Sequence, residues 1–297
     1  MNGFLLIDKP SGITASGCVY NLRKILKQKK IGHCGTLDPL ATGVLPICIG
    51  EATKFSNYIT EQQKEYLVTV KFGLETDTGD ISGKEISRAV ASFSRADLEL
   101  TLKQFVGIQN QTVPMHSAVK VNGRPLYYWA RKGVYLKRKP RSISINSIRL
   151  LTFKGKDKAK IKVLCSKGTY IRTLVESIGR ELGTKATVLE LRRTKVGSFG
   201  EKDLCKLEKL EKTSFSKAII DCDIMLKHLP KITLSSLKSK KIRNGLQVDY
   251  NARQEKEGIV RIYEEKGSFI GIGSIDFAKK VSPKRLLKTQ TNQTSSS

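Results

Sequence analysis

Between residues 32 and 46 the chain reads Gly-His-Cys-Gly-Thr-Leu-Asp-Pro-Leu-Ala-Thr-Gly-Val-Leu-Pro. Three glycines and two prolines interrupt this stretch too often for a regular element, so it predicts a tight, shaped loop running into a buried strand over 44–49. Asp38 is its only carboxylate. Pro39 biases Asp38 away from helical geometry and fixes the next φ, which puts the carboxylate on a rigid turn. An Asp-Pro dipeptide by itself is ordinary turn chemistry, because Asp often bonds its own backbone. Rigid placement is also what a catalytic group requires.

The charge balance narrows the partner. Lys and Arg number 54 against 27 Asp and Glu, a formal net charge of +27. A chain this basic points to a polyanion, and nucleic acid fits better than an anionic membrane because no amphipathic anchor is evident. The apolar run at Phe4–Ile7 is too short for a signal peptide and is followed directly by Asp8, and no segment reaches the length of a membrane span. Six cysteines at 18, 34, 48, 165, 205 and 222 form no Cys-x-x-Cys pair, and they read as reduced thiols in or near the core of a cytoplasmic protein. Asp77 and Asp80 lack a His or Glu at ligand spacing, so no metal site is expected. With 297 residues the chain has room for one large domain and a small one.

Periodicity supplies the elements. Phe4–Ile7 predicts a short buried strand closed by Asp8-Lys9-Pro10-Ser11-Gly12, where Lys9 is a candidate phosphate contact. Cys18, Val19, Leu22, Ile25 and Leu26 mark an amphipathic helix capped by Thr14 or Ser16, with a basic end at Lys24, Lys27, Lys29 and Lys30. A short helix opens at Gly50, and a strand over 64–73 sets Tyr66, Val68, Val70 and Phe72 on one face. The polar stretch 73–80 reads as a flexible connection. Ser94 with Asp97 is a capping-box pattern for a helix that Gly107 ends. Asn122-Gly123 signals a turn, with Pro125 suited to the start of the next helix. Strands follow over 142–153 and 160–165, then a Gly turn and a helix from 171 to 182 stopped by Gly183. Residues 187–197 read as a buried-edge strand, and 204–229 as a charged linker helix pair. Leu229-Pro230 marks a boundary, after which short strands near 247, 259–263 and 269–275 indicate a small β-rich module. The polar end, 289–297, is expected to be disordered.

The loop motif as a whole resembles the central motif of the TruB family of tRNA pseudouridine synthases. Three further segments resemble that family in the right order: Asp8-Lys9-Pro10-x-Gly12, the run from Gln111 to Arg131, and Ser166-Lys167-Gly168-Thr169-Tyr170-Ile171-Arg172 with the later Leu191-Arg192-Arg193. The resemblance spans residues 3 to 197, and the C-terminal module is similar to a PUA-type RNA-binding domain. It implies an α+β fold: a catalytic domain over 1–229 around a bent, mainly antiparallel mixed sheet flanked by helices, with T-arm-binding insertions near 74–92 and 108–141, and a PUA-like domain over 230–288.

The resemblance also implies roles. Asp38 is the essential catalytic residue, Arg172 its ion-pair partner, Tyr66 the aromatic that stacks on the flipped base, and Tyr170 and Leu191 further walls of the base pocket. His33 inserts into the RNA loop as the target uridine leaves it. Arg131 and Arg141 belong to a mixture of charge and aromatic faces suited to RNA. The departures are Cys34, where relatives often carry Thr or Ser, and His116, where they often carry an aromatic. The implied reaction breaks the N1–C1′ bond of the tRNA T-arm uridine conventionally numbered 55 and rejoins the base through C5. That needs no cofactor, and the implied enzyme is a monomer with no obligatory protein partner. Attack at C1′, attack at C6 and proton abstraction at C2′ are equally open to a lone carboxylate. Pairing with Arg172 is expected to lower the Asp38 pKa by about 1–3 units. Charge and the PUA-like tail alone suit a non-catalytic RNA-binding protein equally well; Asp38 separates the two.

Overall fold

The computed structural model describes residues 1–155, 157–207, 217–250 and 257–288. The chain opens with β1 (Gly3–Lys9), whose side chains are buried on both faces. Helix α1 (Ala15–Leu26) follows, with Thr14 as its N-cap accepting from Gly17 N at 2.9 Å. Then come β2 (Ile31–His33), the Asp38 loop and β3 (Thr42–Ile49). The helix expected at Gly50 is a 3-10 turn over Gly50–Phe55 continuing into α2 (Ser56–Thr60). Strand β4 (Lys64–Phe72) buries Tyr66, Val68, Val70 and Phe72 on one face, as the alternation requires.

The segment after residue 73 is more ordered than its polar composition suggests. It pairs β5 (Leu74–Thr76) with β6 (Glu85–Arg88), and the turn between them folds around a buried Asp80 that accepts from Thr78 Oγ1 and Ser82 N at 3.0 Å each. Helix α3 (Arg95–Gln104) has the expected Ser94–Asp97 capping box, but Gly107 opens a strand rather than closing the helix. That strand is β7 (Gly107–Thr112). The hairpin β8 (Lys120–Val121) and β9 (Arg124–Pro125) turns on Asn122 and Gly123, both at positive φ, and leads into α4 (Leu126–Arg131). After β10 (Pro140–Lys154) and β11 (Lys158–Cys165), α5 (Ile171–Glu181) ends near Gly183 at φ +70°. Strand β12 (Ala186–Val196) and the short β13 (Phe199–Gly200) and β14 (Cys205–Lys206) complete the large sheet.

The sheet order is β14-β1-β3-β12-β4-β11-β10-β7, with β2 and β13 attached at its side, and most neighbours are antiparallel. β12 is therefore a central strand rather than a buried edge: it runs parallel to β3 and antiparallel to β4. Its side-chain alternation is broken by register shifts on both sides of Leu191 and Arg193, which is why its pattern does not read as a two-sided core strand. Of the helix pair expected over 204–229, residues 208–216 lie outside the described residues, as does the tail 289–297; the described part holds β14, helical residues at 217–218 and the four-residue α6 (Cys222–Met225).

β1 and β3 sort their side chains between two cores. Leu5, Ile7, Leu45 and Ile47 face α1 and α5, while Phe4, Leu6, Val44 and Cys48 face the opposite way. A second sheet follows, in the order β15 (Lys231–Leu234), β17 (Gly258–Glu264), β18 (Phe269–Ile275), β19 (Lys280–Leu286) and β16 (Val248–Asp249), crossed by α7 (Ser236–Arg243). Strands β15 and β19 and helix α7 are absent from the sequence reading, because their short apolar runs are diluted by lysines. All six cysteines are unpaired, and Cys34 lies buried against Cys48.

Candidate active site

The loop between β2 and β3 is built from its glycines and one arginine. Gly35 and Gly43 sit at φ +106° and +98°, where a side chain is strained. Arg193, 1% exposed, reaches back from β12 and donates from Nε to Val44 O at 2.7 Å, with Nη1 and Nη2 directed at Thr36 O and Gly35 O. From the other side Lys9 donates to Ile13 O at 2.6 Å, Pro10 O at 2.8 Å and Pro39 O at 3.1 Å. Lys9 is fully buried, and burial pulls its pKa down to about 8. It is a brace under the loop, so its expectation as a phosphate contact is corrected: no RNA backbone reaches a side chain with no exposed surface.

Held in this way, Asp38 meets Arg172 in the first turn of α5. Arg172 Nε lies 2.9 Å from Asp38 Oδ2 and Nη2 donates to Oδ1 at 3.1 Å, a two-pronged pair. The guanidinium also donates to Thr78 O at 2.6 Å and His116 O at 2.8 Å, and Asp80 Oδ2 stands 3.9 Å away. Arg172 thus ties together the loop, the β5–β6 turn and the segment before β8. The start of α5 is fixed by Gln111 of β7, which accepts from Tyr170 N at 2.7 Å and donates to Tyr170 O at 2.9 Å.

These elements enclose a cavity of about 380 Å³ whose walls include Asp38, Tyr66, Tyr170, Leu191, Lys64 and Arg193. Five of the nine residues named from sequence as site residues therefore gather at one place: four line the cavity with Asp38 or are Asp38 itself, namely Asp38, Tyr66, Tyr170 and Leu191, and Arg172 grips Asp38 from behind. His33 ends β2 next to the loop, half-buried; burial and then Arg193 lower its pKa, so the ring is neutral near pH 7, and its Nδ1 finds no partner among the described residues. Arg131 and Arg141 lie outside the cavity and exposed, Arg131 over the Tyr127 ring at 5.6 Å. The Trp129 ring is committed inward, its Nε1 donating to Val121 O.

The electrostatics correct one expectation. Burial raises the Asp38 pKa more than Arg172 lowers it, and Asp80 adds to the rise, so the carboxyl stands above its ordinary value rather than below it. Burial likewise raises Tyr66, with Arg193 beside the phenol pulling it back. Lys64, 6% exposed in the cavity wall, donates to Gln62 O at 2.6 Å and to Thr60 O, and burial brings its pKa to about 8. The sequence reading missed Lys64, Gln111 and Arg193. Arg193 and Gln111 carry a signal, the first in the Leu191-Arg192-Arg193 segment and the second at the start of the Gln111–Arg131 segment; Lys64 carries none beyond its place in a strand.

Family models match along the chain in sequence: "TruB family pseudouridylate synthase (N terminal domain)" over residues 23–171, "tRNA pseudouridylate synthase B C-terminal domain" over 172–229 and "Pseudouridine synthase II TruB, C-terminal" over 230–287. The chain belongs to the TruB family of pseudouridine synthases. Members of that family are isomerases, and the chain is assigned to that enzyme class with it. It is 41% identical to the tRNA pseudouridine synthase B of Stutzerimonas stutzeri, covering 98% of this chain and 97% of the relative. To the protein of the same name from Buchnera aphidicola it is 42% identical, at 98% and 97% coverage. Among solved structures it resembles a chain of a Cbf5-Nop10-Gar1 complex with a TM-score of 0.74 at 27% identity, covering 96% of this chain and 84% of that one. It also shares the fold of a chain in an H/ACA RNP bound to a substrate RNA containing 2′-deoxyuridine, with a TM-score of 0.75 at 23% identity. The TruB-family fold expected from sequence, a mixed sheet with helices plus a β-rich C-terminal module, is the one observed, and the C-terminal sheet has five strands.

Proposed function

We infer that this TruB-family isomerase is a tRNA pseudouridine synthase acting on the T-loop uridine conventionally numbered 55. The observation that carries the reading is the two-pronged Asp38–Arg172 pair at the wall of a cavity that also presents Tyr66, Tyr170 and Leu191. The curated relatives' names supply the substrate class.

In this reading the uridine leaves its stack at a cost of a few kcal/mol, and His33 fills the vacated place. A neutral His33 ring suits that role, because it enters a base stack without carrying a charge there. The uracil sits against Tyr66 with Tyr170 and Leu191 as the remaining walls. Asp38, its charged form favoured by Arg172, acts on the nucleoside; the N1–C1′ bond breaks, the base turns, and C5 joins C1′ and gives up its proton while N1 takes one up. The isomerisation is redox-neutral, and no cofactor enters the proposal. Arg131 and Arg141 contact phosphates of the T-arm, and the C-terminal sheet adds RNA-binding surface. The protein works in the cytoplasm as a monomer with no obligatory protein partner. Among the described residues no helix is long and apolar enough to cross a membrane.

The test uses an isolated T-arm hairpin carrying C5-tritiated uridine, with no other macromolecule present. Wild type is expected to release tritium, and Asp38→Asn to bind the hairpin and release none. Unchanged turnover by Asp38→Asn defeats the enzymatic reading.

A further inference from the structure

A surface groove at the C-terminal end of α1 is walled by Arg23, Lys24, Lys27, Gln28 and Lys29, and encloses about 450 Å³. Four cations and an amide form it, with no acid. Nearby cations are neutralised: Lys30 and Lys54 both pair with Glu51. Among the described residues no carboxylate pairs with any of the four cations in the groove. Arg23 spends one N–H on Ile31 O at 2.7 Å, which fixes its guanidinium at the groove wall.

The helix itself accounts for only part of this charge. Arg23 and Lys24 lie in the last turn of α1, where the dipole favours cations. Lys27 and Lys29 lie beyond the helix, where that field fades, and Lys27 is held at φ +47° as the C-cap. One turn upstream Tyr20 is 57% exposed, with Lys24 Nζ 4.4 Å from its ring centroid. A cation resting on an exposed aromatic beside unneutralised lysines is an arrangement suited to a phosphate-sugar backbone.

Its position relates it to the cavity. The N-terminus of α1 abuts the Asp38 loop, since Gly12 N donates to Pro39 O at 2.9 Å and Lys9 bridges Ile13 O and Pro39 O. Twelve helical residues at about 1.5 Å each place the groove roughly 18 Å from that loop. α1 and α5 pack on the same face of the large sheet: Cys18, Val19 and Leu22 share one core with Ile171, Leu174 and Val175. The groove and the Asp38 loop therefore stand at the two ends of α1, and Gly50 N donating to Lys30 O at 2.7 Å sets the groove beside the end of β3 far from Thr42.

We propose that this groove is a second RNA contact, which holds phosphates of the substrate's backbone well outside the flipped nucleotide. The proposal rests on the RNA-substrate reading above. It assigns the groove to affinity and placement rather than to chemistry, because no groove residue reaches the cavity.

The experiment is Lys24→Gln/Lys27→Gln/Lys29→Gln in the full chain, with binding of full-length tRNA measured across about 50–200 mM salt. Each lost phosphate contact lowers the slope of log K on log salt by about 0.7–0.9, so the slope is expected to fall by roughly 2–3. Affinity is expected to weaken at least tenfold, with kcat at saturating tRNA unchanged. The slope counts phosphates neutralised at the contact rather than overall charge. A folded triple variant with wild-type slope and affinity overturns the groove proposal. Failure of wild type to convert uridine in tRNA defeats instead the functional reading beneath it.

Discussion

Asp38 is poised between opposing neighbours, and the balance can be moved in either direction. Burial and the Asp80 charge raise its pKa, while Arg172 lowers it. A carboxylate that attacks or abstracts must be ionised, so activity falls as pH drops through that pKa. Arg172→Met removes the lowering influence, and the acid limb of kcat/KM is expected to move toward neutrality by about 1–3 units. Asp80→Asn removes a raising influence and is expected to move the limb to lower pH. A pH profile of both variants checks the sign, and a limb that stays put in Arg172→Met means that the pair does not set the ionisation. Much of this site is legible in the sequence: the motifs carry Asp38, Tyr170, Arg172 and Leu191, and the family resemblance adds Tyr66 from its place in the 64–73 strand. Arg193 and the bracing role of Lys9 escaped because a lysine or arginine with almost no exposed surface runs against the usual placement of charge. Only the backbone carbonyls that receive them explain it, and Pro39 O for Lys9 and Val44 O for Arg193 come from distant parts of the chain.

At the scale of elements, the site depends on the seam where β3 runs parallel to β12. Gly43 pairs with Arg193 across that seam at φ +98°, and a Cβ there would stand 2.2 Å from Arg193 O. Gly43→Ala therefore meets both backbone strain and a clash with a strand that cannot retreat, since β12 is pinned on its other side by β4. The expected cost is roughly 3 kcal/mol or more, with loss of activity as Arg193 is pushed from the loop. Gly12→Ala is the control: φ is +84°, nothing lies within 4 Å of its would-be Cβ, and only the strain of about 1–2 kcal/mol applies. Urea unfolding of the pair checks the difference, and equal costs would show that the seam yields. The glycines of this loop were readable as backbone punctuation, but the strand they approach was not. The register shifts flanking Leu191 and Arg193 scramble the period-two pattern of β12, so its central position appears only once its neighbours are known.

The whole molecule adds a coupling between its two sheets. Leu229-Pro230 reads in the sequence as a boundary, yet the cores do not separate there: Ile272 of β18 is buried in the same cluster as Phe4, Leu6, Val44 and Phe55. The Phe55 and Phe269 rings lie 5.8 Å apart, Lys54 Nζ donates to Leu286 O at 2.7 Å, and Arg261 Nε donates to Leu229 O at 3.0 Å. The C-terminal sheet therefore covers the face of β1 and β3 opposite to the one that carries α1 and α5. A chain cut at the boundary would expose that apolar face, which links the Asp38 loop mechanically to the far sheet through β3. Heat is accordingly expected to unfold the molecule in one cooperative transition rather than two. Phe269→Ala removes a half-buried ring from the junction and is expected to cost about 2–3 kcal/mol and to lower the midpoint for both sheets together. Calorimetry with a near-ultraviolet probe distinguishes the outcomes: a low transition confined to the C-terminal sheet, with turnover of a T-arm hairpin intact above it, would show that the two sheets are independent and that the shared core contributes nothing to holding the loop.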